Sequence, residues 1–290
     1  MKKIAVILSL VAGPGLVWAQ SKVDERRPAA PDGIVQIENT DGSTRVIGWD
    51  KGEVQVTGTL GRRAQGVEIT SDSRRTRISV EVEGAPHGVK NDLEIRVPAG
   101  SRLTIESFSA DITVADVTGT VEAESVNGSI TVSGGARTIG VQTVNGSVLI
   151  KGPATRINAE SVNGSVTIRE ASGEIEASTV NGELAVAGAS FDRARLETVS
   201  GSLRFEGALG GRATLEVETV SGGVELILPA AVSADFSVST FSGEIENELG
   251  PPARKSSRYT PEKELSFSTG SGGADVSVQT LSGNIALRKR

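Results

Sequence analysis

Ser125-Val126-Asn127-Gly128-Ser129, Thr143-Val144-Asn145-Gly146-Ser147, Ser161-Val162-Asn163-Gly164-Ser165 and Thr179-Val180-Asn181-Gly182-Glu183 follow one another at an even spacing. Their first residues fall at positions 125, 143, 161 and 179, a constant period of 18. A fixed period of this length signals a repeat architecture, and it has to be read before anything else. Downstream the motif continues with Ser in place of Asn: Thr198-Val199-Ser200-Gly201, Thr219-Val220-Ser221-Gly222, Thr240-Phe241-Ser242-Gly243 and Thr280-Leu281-Ser282-Gly283. From 179 through 198, 219, 240 and 280 the spacing stretches to 19, 21, 21 and 40. A degenerate copy, Ser107-Phe108-Ser109-Ala110-Asp111, lies one regular period before the first clear one.

Within a unit, Ser129–Ser133 alternates apolar and polar, Gly134-Gly135 interrupts, and Ile139–Thr143 resumes the alternation. Period-two alternation marks a strand with one buried face. Asn-Gly is a hairpin signal, so an antiparallel meander is one architecture. The other is a parallel β-solenoid in which each unit is one coil and like residues stack at ~4.8 Å. A meander gives no reason for the same side chain at the same place in every unit, whereas stacking does. The solenoid predicts an internal apolar ladder of Val126, Val144, Val162, Val180, Val199 and Val220. It also predicts an amide ladder of Asn127, Asn145, Asn163 and Asn181. The motif Gly is expected at positive φ. Coils of ~18–21 residues are expected to absorb their extra residues near 188–192, 207–212 and 229–232.

Residues 20–106 carry strand-like runs at 33–38, 44–49, 53–57, 67–70, 77–83 and 93–97, with no helix-period segment. They read as a β-rich N-terminal cap or degenerate first coils ahead of a repeat solenoid over 107–290. The stretch 250–264, with its prolines and charges, reads as a loop insertion. Arg288-Lys289-Arg290 is expected to place positive charge on the last strand edge, protecting it from aggregation.

The chain opens with Met1-Lys2-Lys3, an apolar run to Val17, and Val17-Trp18-Ala19. A basic start, a short apolar core and small residues at −3 and −1 describe a secretory signal peptide cleaved after Ala19. The apolar run is shorter than the ~20 residues of a spanning helix, and no transmembrane segment is expected in the mature chain. Export places the protein in the periplasm, on the cell surface or in the medium. The sequence holds 30 basic and 36 acidic residues. Loss of Lys2 and Lys3 leaves 28 against 36, a net of −8, which argues against nucleic acid. There is no Cys, so neither disulfides nor thiolate metal sites exist. Aromatic residues are 3% of the chain, and the abundant Val, Ile, Leu and Ala suit thin stacked layers.

Each feature that could carry chemistry has a plainer structural reading. Asn127, Asn145 and Asn163 sit in Asn-x-Ser glycosylation patterns, but a turn role explains every copy, including those with Ser. The turns lack the regular Asp of calcium-binding β-rolls. His87 is the lone histidine and cannot build a zinc site by itself. No Gly-x-Ser-x-Gly elbow accompanies it. Gly270-Ser271-Gly272-Gly273 precedes no helix, so it forms no phosphate cradle. Glu122, Glu124, Glu160, Glu174 and Glu176 could line one face as a glycosidase carboxylate pair would. The aromatic platforms of a sugar groove are missing, since the mature chain holds only Trp49 and Tyr259 in that role. No catalytic residue, cofactor-binding residue or metal ligand is therefore assigned.

The recurring [Ser/Thr]-Val-[Asn/Ser]-Gly-x-[Ile/Val/Leu] unit resembles a bacterial domain-of-unknown-function family of β-strand repeat, adhesin-like proteins. The segment 93–100, Leu-Glu-Ile-Arg-Val-Pro-Ala-Gly, and the closing run 272–283 share that resemblance. It implies a β-solenoid, an envelope location, no catalytic residues and no cofactor. The function expected is a non-catalytic adhesin-like or structural module contacting a protein or glycan of the cell envelope. The alternatives are a polysaccharide-active enzyme on a β-helix scaffold, or a periplasmic partner in envelope-stress signalling.

Overall fold

The computed structural model describes residues 21–72, 74–82, 90–255 and 261–290. The signal segment 1–19, His87 and Tyr259 lie outside these residues. The fold is all-β: 24 strands and no helix among the described residues, hence no helix long and apolar enough to cross a membrane.

The repeat winds as the alternation predicts. Thr120–Ser125 lies parallel to Thr138–Thr143, which lies parallel to Arg156–Asn163, each residue on its equivalent one period later. A second row of strands forms the opposite wall, with Ile112, Ile130, Val148 and Val166 in register. Side chains of the two rows meet in a thin interior. Val121, Ile139, Ile157 and Ile175 stack on one side, and Val132, Ile150 and Ile168 on the other, all at 2% exposure or less. Small and β-branched residues suffice because each coil needs to cover only its neighbours.

Where the period lengthens, the ladder becomes irregular. Register shifts fall between Ala187 and Ser190 and between Phe191 and Arg193. The widened interior is filled by the buried rings of Phe191 and Phe205, with centroids 5.0 Å apart.

Coil order in space departs from coil order in sequence at both ends. The first coil is inserted between the second and third. Ile34–Glu38 pairs with Arg75–Val82 on one side and Arg102–Ser107 on the other. Asp41–Trp49 likewise lies between Asn91–Pro98 and Ser109–Ala115. At the far end, Ala274–Ser282 enters between Leu203–Ser221 and Ala234–Ser242. Ile285–Lys289 enters between Val224–Leu228 and Ile245–Asn247.

This corrects the expectation for the C-terminus, because Arg288 and Lys289 are not on an edge. Arg288 reaches Glu248 at 2.9 Å and Glu246 at 2.6 Å on the neighbouring coil. The backbone amide of Lys289 and the Arg288 guanidinium together hold the Glu248 carboxyl below its ordinary pKa, and the two carboxylates raise that of Arg288. The true edges are closed by antiparallel strands. Lys263–Thr269 covers Ala234–Ser242, with Phe236 and Phe267 stacked at 4.6 Å. At the start of the chain, Ala64–Ser71 covers Arg75–Val82, while Glu53–Leu60 covers Asn91–Pro98. A charged antiparallel strand at a sheet edge blunts edge-to-edge association. Gly270–Gly273 forms the reversal into the inserted coil: Gly270, Gly272 and Gly273 have φ of 59°, 73° and 130°.

Candidate functional site

From Ser107 onward the repeated motif forms one corner of each coil, and its side chains sort by strand parity. In Thr138–Thr143 the buried positions are Ile139, Val141 and Thr143. The next residue, Val144, must therefore face out. The motif valines accordingly form an external ladder, not the internal one expected. Val126, Val144, Val162, Val180, Val199 and Val220 are exposed, from 37% at Val126 to 47% at Val220. Counting the alternation through the motif, instead of assigning Val to the core by residue type, would have placed them correctly.

The inward position belongs to the motif Ser or Thr, because it answers a backbone need. Thr143 Oγ1 donates to the carbonyl of Gly128 at 3.0 Å, Ser161 Oγ to Gly146 at 2.9 Å and Thr179 Oγ1 to Gly164 at 2.9 Å. A buried carbonyl left without a partner costs more than a hydrogen bond gains, and a valine there could not supply one. Thr198, Thr219 and Thr280 keep the position in the longer coils without a partner for their hydroxyls among the described residues.

The motif Gly serves close approach, and this corrects the second expectation. Gly128, Gly146, Gly164 and Gly182 do not have positive φ; in the later copies Gly201 and Gly222 do, at 155° and 152°. A Cβ at Gly146, Gly164 or Gly182 would sit far inside 3.0 Å of the Gly carbonyl oxygen one coil earlier. The amide ladder is present as expected: Asn145, Asn163 and Asn181 each donate Nδ2 to the Oδ1 of the preceding Asn, at 2.8, 2.9 and 3.0 Å. Asn145 and Asn163, two of the three glycosylation-pattern asparagines, thus spend their amide nitrogens within the ladder.

Spatial order continues the apolar row beyond the valines. Thr219 and Ser221 register with Thr280 and Ser282, which register with Thr240 and Ser242. Leu281 therefore stands between Val220 and Phe241, and Phe108 precedes Val126 at the other end. Two positions before the apolar residue runs a polar row, Glu106, Glu124, Gln142, Glu160, Ser178, Glu197 and Glu218, joined coil to coil by strand register. The two rows border a shallow groove along the stack. One widening of about 430 Å³ is lined by Val126, Val144 and Val162 with Glu106, Glu124 and Glu160. Another of about 550 Å³ is lined by Val199, Val220, Leu281 and Phe241 with Glu197, Glu218 and Glu262. Among the described residues no Lys or Arg lines either one.

Of the carboxylates considered as a catalytic pair, Glu124 and Glu160 share this row two coils apart. Glu122 and Glu176 lie on the next row across the sheet, and Glu174 is engaged by Arg156 at 2.5 Å. Glu174 and Glu176 line one depression together with Arg156, Arg193 and Arg195, and Glu122, Glu124 and Glu160 do not line it. No cluster of three or more His, Cys, Asp or Glu among the described residues could hold a metal ion.

These features define a solenoid-like, all-β repeat protein with regular rows of side chains along its corners. The chain belongs to the Toastrack DUF4097 family, whose model matches residues 67–288. A comparison with curated proteins finds no match. Among solved structures, a "putative adhesin" from Bacteroides fragilis NCTC 9343 is similar at 10% identity and a TM-score of 0.47, covering 94% of this chain and 100% of that one. A "putative adhesin" from Parabacteroides distasonis ATCC 8503 is similar at 12% identity and a TM-score of 0.46, covering 93% and 98%.

Proposed function

We propose that the mature chain is an exported, non-catalytic parallel β-solenoid with coils of ~18–21 residues, acting as an adhesin-like or envelope interaction module. In this reading residues 20–106 form the first coils and their cap, and residues 107–290 form the repeat body. The single observation that carries the reading is the outward row of motif valines. A residue repeated in every coil and kept at the surface is not explained by packing, and contiguous exposed apolar surface marks contact sites. The scattered carboxylates and the absence of Trp and Tyr from the groove lining among the described residues favour contact over glycoside cleavage. The outer compartment follows from the N-terminal segment, and the partner is a protein or glycan of the envelope.

Two experiments test it. Residues 1–25 fused to an alkaline phosphatase that matures only outside the cytoplasm should give active enzyme; silence would remove the export claim. The mature chain immobilised against envelope extract and a glycan array should retain a saturable ligand. Turnover of a polysaccharide that disappears in Glu124→Gln/Glu160→Gln would refute the non-catalytic assignment.

A further inference from the structure

The groove has a chemistry that narrows its occupant, and the narrowing rests on the interaction-module reading. One wall is a continuous apolar row ending in its largest and most exposed members, Phe241 and Leu281, at 49% and 56%. The other wall carries Glu106, Glu124, Glu160, Glu197 and Glu218. Arg195, two residues from Glu197 on the same face, bridges Glu197 and Glu216, also acts on Glu218, and tempers the charge at those two coils. Elsewhere along the row the acids stand without a lining cation, so the groove favours an occupant that is apolar on one side and positively charged beside it.

The backbone of the walls decides the occupant's conformation. Strands run across the groove, and their amides and carbonyls point along the stack, where adjacent coils already use them. At the corner itself Asn145 N donates to Val126 O at 2.8 Å and Asn163 N to Val144 O at 2.8 Å. An extended peptide lying in the groove would find no free sheet edge to pair with, and its own polar backbone would face methyl groups. A helix meets its backbone needs internally. Its turn of ~5.4 Å runs close to the ~4.8 Å coil repeat, and the two drift by only ~2 Å over three to four turns. The span from Val199 to Phe241 crosses four coils, which a helix of about 14 residues would cover.

We infer that the corner groove is a docking site for an amphipathic, Lys- or Arg-bearing helix of a partner protein. The helix lies along the stack with its apolar face on Val199, Val220, Leu281 and Phe241 and its cations against Glu197 and Glu218, while Gln279 and Ser239 continue the polar row beside Leu281 and Phe241.

The probe is a synthetic helix of that same length with Leu along one face and Lys flanking it, titrated onto the full mature chain. Its controls are a scrambled peptide of the same composition and a version with Glu for Lys. The Lys helix should bind at least about tenfold more tightly than either control. Val199→Ser/Val220→Ser/Leu281→Ser should weaken it by about tenfold or more while leaving the far-UV spectrum unchanged, because these side chains are outside the core. Glu197→Lys/Glu218→Lys, which leaves the apolar row intact, should weaken it as well and flatten its salt dependence. Equal binding of the scrambled peptide, or full binding by the serine variant, overturns the assignment. So does a dimer in sedimentation that the serine variant abolishes, since a second copy would then be the occupant. If the serine variant retains the same envelope ligand as the unmodified chain, the groove assignment fails while the interaction-module reading stands. A chain that binds the Lys helix as described but retains no envelope component reverses that outcome.

Discussion

Gly164→Ala adds one methyl group to the surface corner of a coil, and the structure predicts a cost far above that of an ordinary surface substitution. The backbone at Gly164 is not in the left-handed region, so alanine is not strained by its own dihedral angles. The obstacle is the neighbouring coil: the new Cβ would lie far inside ordinary contact with the carbonyl oxygen of Gly146. Relief requires the coils to part at that corner. Parting strains Asn163 N to Val144 O at 2.8 Å, Val148 N to Ser165 O at 2.9 Å and Ser161 Oγ to Gly146 O at 2.9 Å. Overpacking costs about 1–3 kcal/mol, and each weakened hydrogen bond up to about 1 kcal/mol. Because opening the gap relieves one term while raising the other, the sum settles at about 3 kcal/mol. For a domain of this size that is a fall of about 6–12 °C in Tm. Gly140→Ala is the control. It sits mid-strand in the same stack with ordinary φ, and its nearest neighbour is Glu122 Cγ at 3.9 Å. Alanine there should be neutral or stabilise by up to about 1 kcal/mol. Thermal unfolding followed by far-UV circular dichroism compares the two. Loss of less than about 1 kcal/mol in Gly164→Ala, or equal losses in both variants, would refute close coil stacking as the reason for the motif glycine.

Two further predictions come from the same ladders. Thr179→Val removes a hydroxyl bonded to Gly164 and should destabilise by about 1–2 kcal/mol, whereas Thr219→Val removes a buried hydroxyl without a partner and should be neutral or stabilising; denaturant midpoints showing the opposite order would contradict the assigned inward role. At the inserted C-terminal strand, the Glu248 carboxyl is depressed by the Lys289 amide first and Arg288 second. Its contribution is therefore present above the ordinary Glu range near ~4.3 and lost as pH falls through the lower folded-state value. The stability advantage of the unmodified chain over Glu248→Gln should exist at neutral pH and vanish in acid, and an advantage that grows on acidification would reverse the sign.

The coil period, the strands of the regular units and the asparagine ladder are legible, because each follows from spacing or alternation along the chain, whereas the covering strands Ser21–Pro28 and Lys263–Thr269 carry no repeat signal. Residue type places the motif valines in the core, and the structure puts them outside. In Ile139, Val141 and Thr143 the parity already assigns the inward side to the hydroxyl, and the hidden cause is a carbonyl on the previous coil that only a donor can satisfy. Turn chemistry assigns the motif glycine to positive φ, whereas Gly146, Gly164 and Gly182 serve an approach between coils, which is not a local property of the sequence. The insertion of Ala274–Lys289 between earlier coils left no local trace. The long gap between Thr240 and Thr280 measures an excursion without saying where the chain returns. The groove followed from these corrections, because it exists only once the valines face outward.

Equivalent motif residues sit directly over one another on the outer corner of successive coils. The chain has no cysteine, so paired substitutions read this without background. Adjacent parallel strands put like Cα atoms ~4.8 Å apart, within disulfide range, and strands two coils apart ~9.6 Å, outside it. Under mild oxidation Val162→Cys/Val180→Cys and Val220→Cys/Leu281→Cys should each close an intramolecular disulfide in the folded protein, while Val144→Cys/Val180→Cys and Val220→Cys/Phe241→Cys should remain reduced. Closure of the Val220–Phe241 pair in place of Val220–Leu281, or no closure of the Val162–Val180 pair, would contradict it.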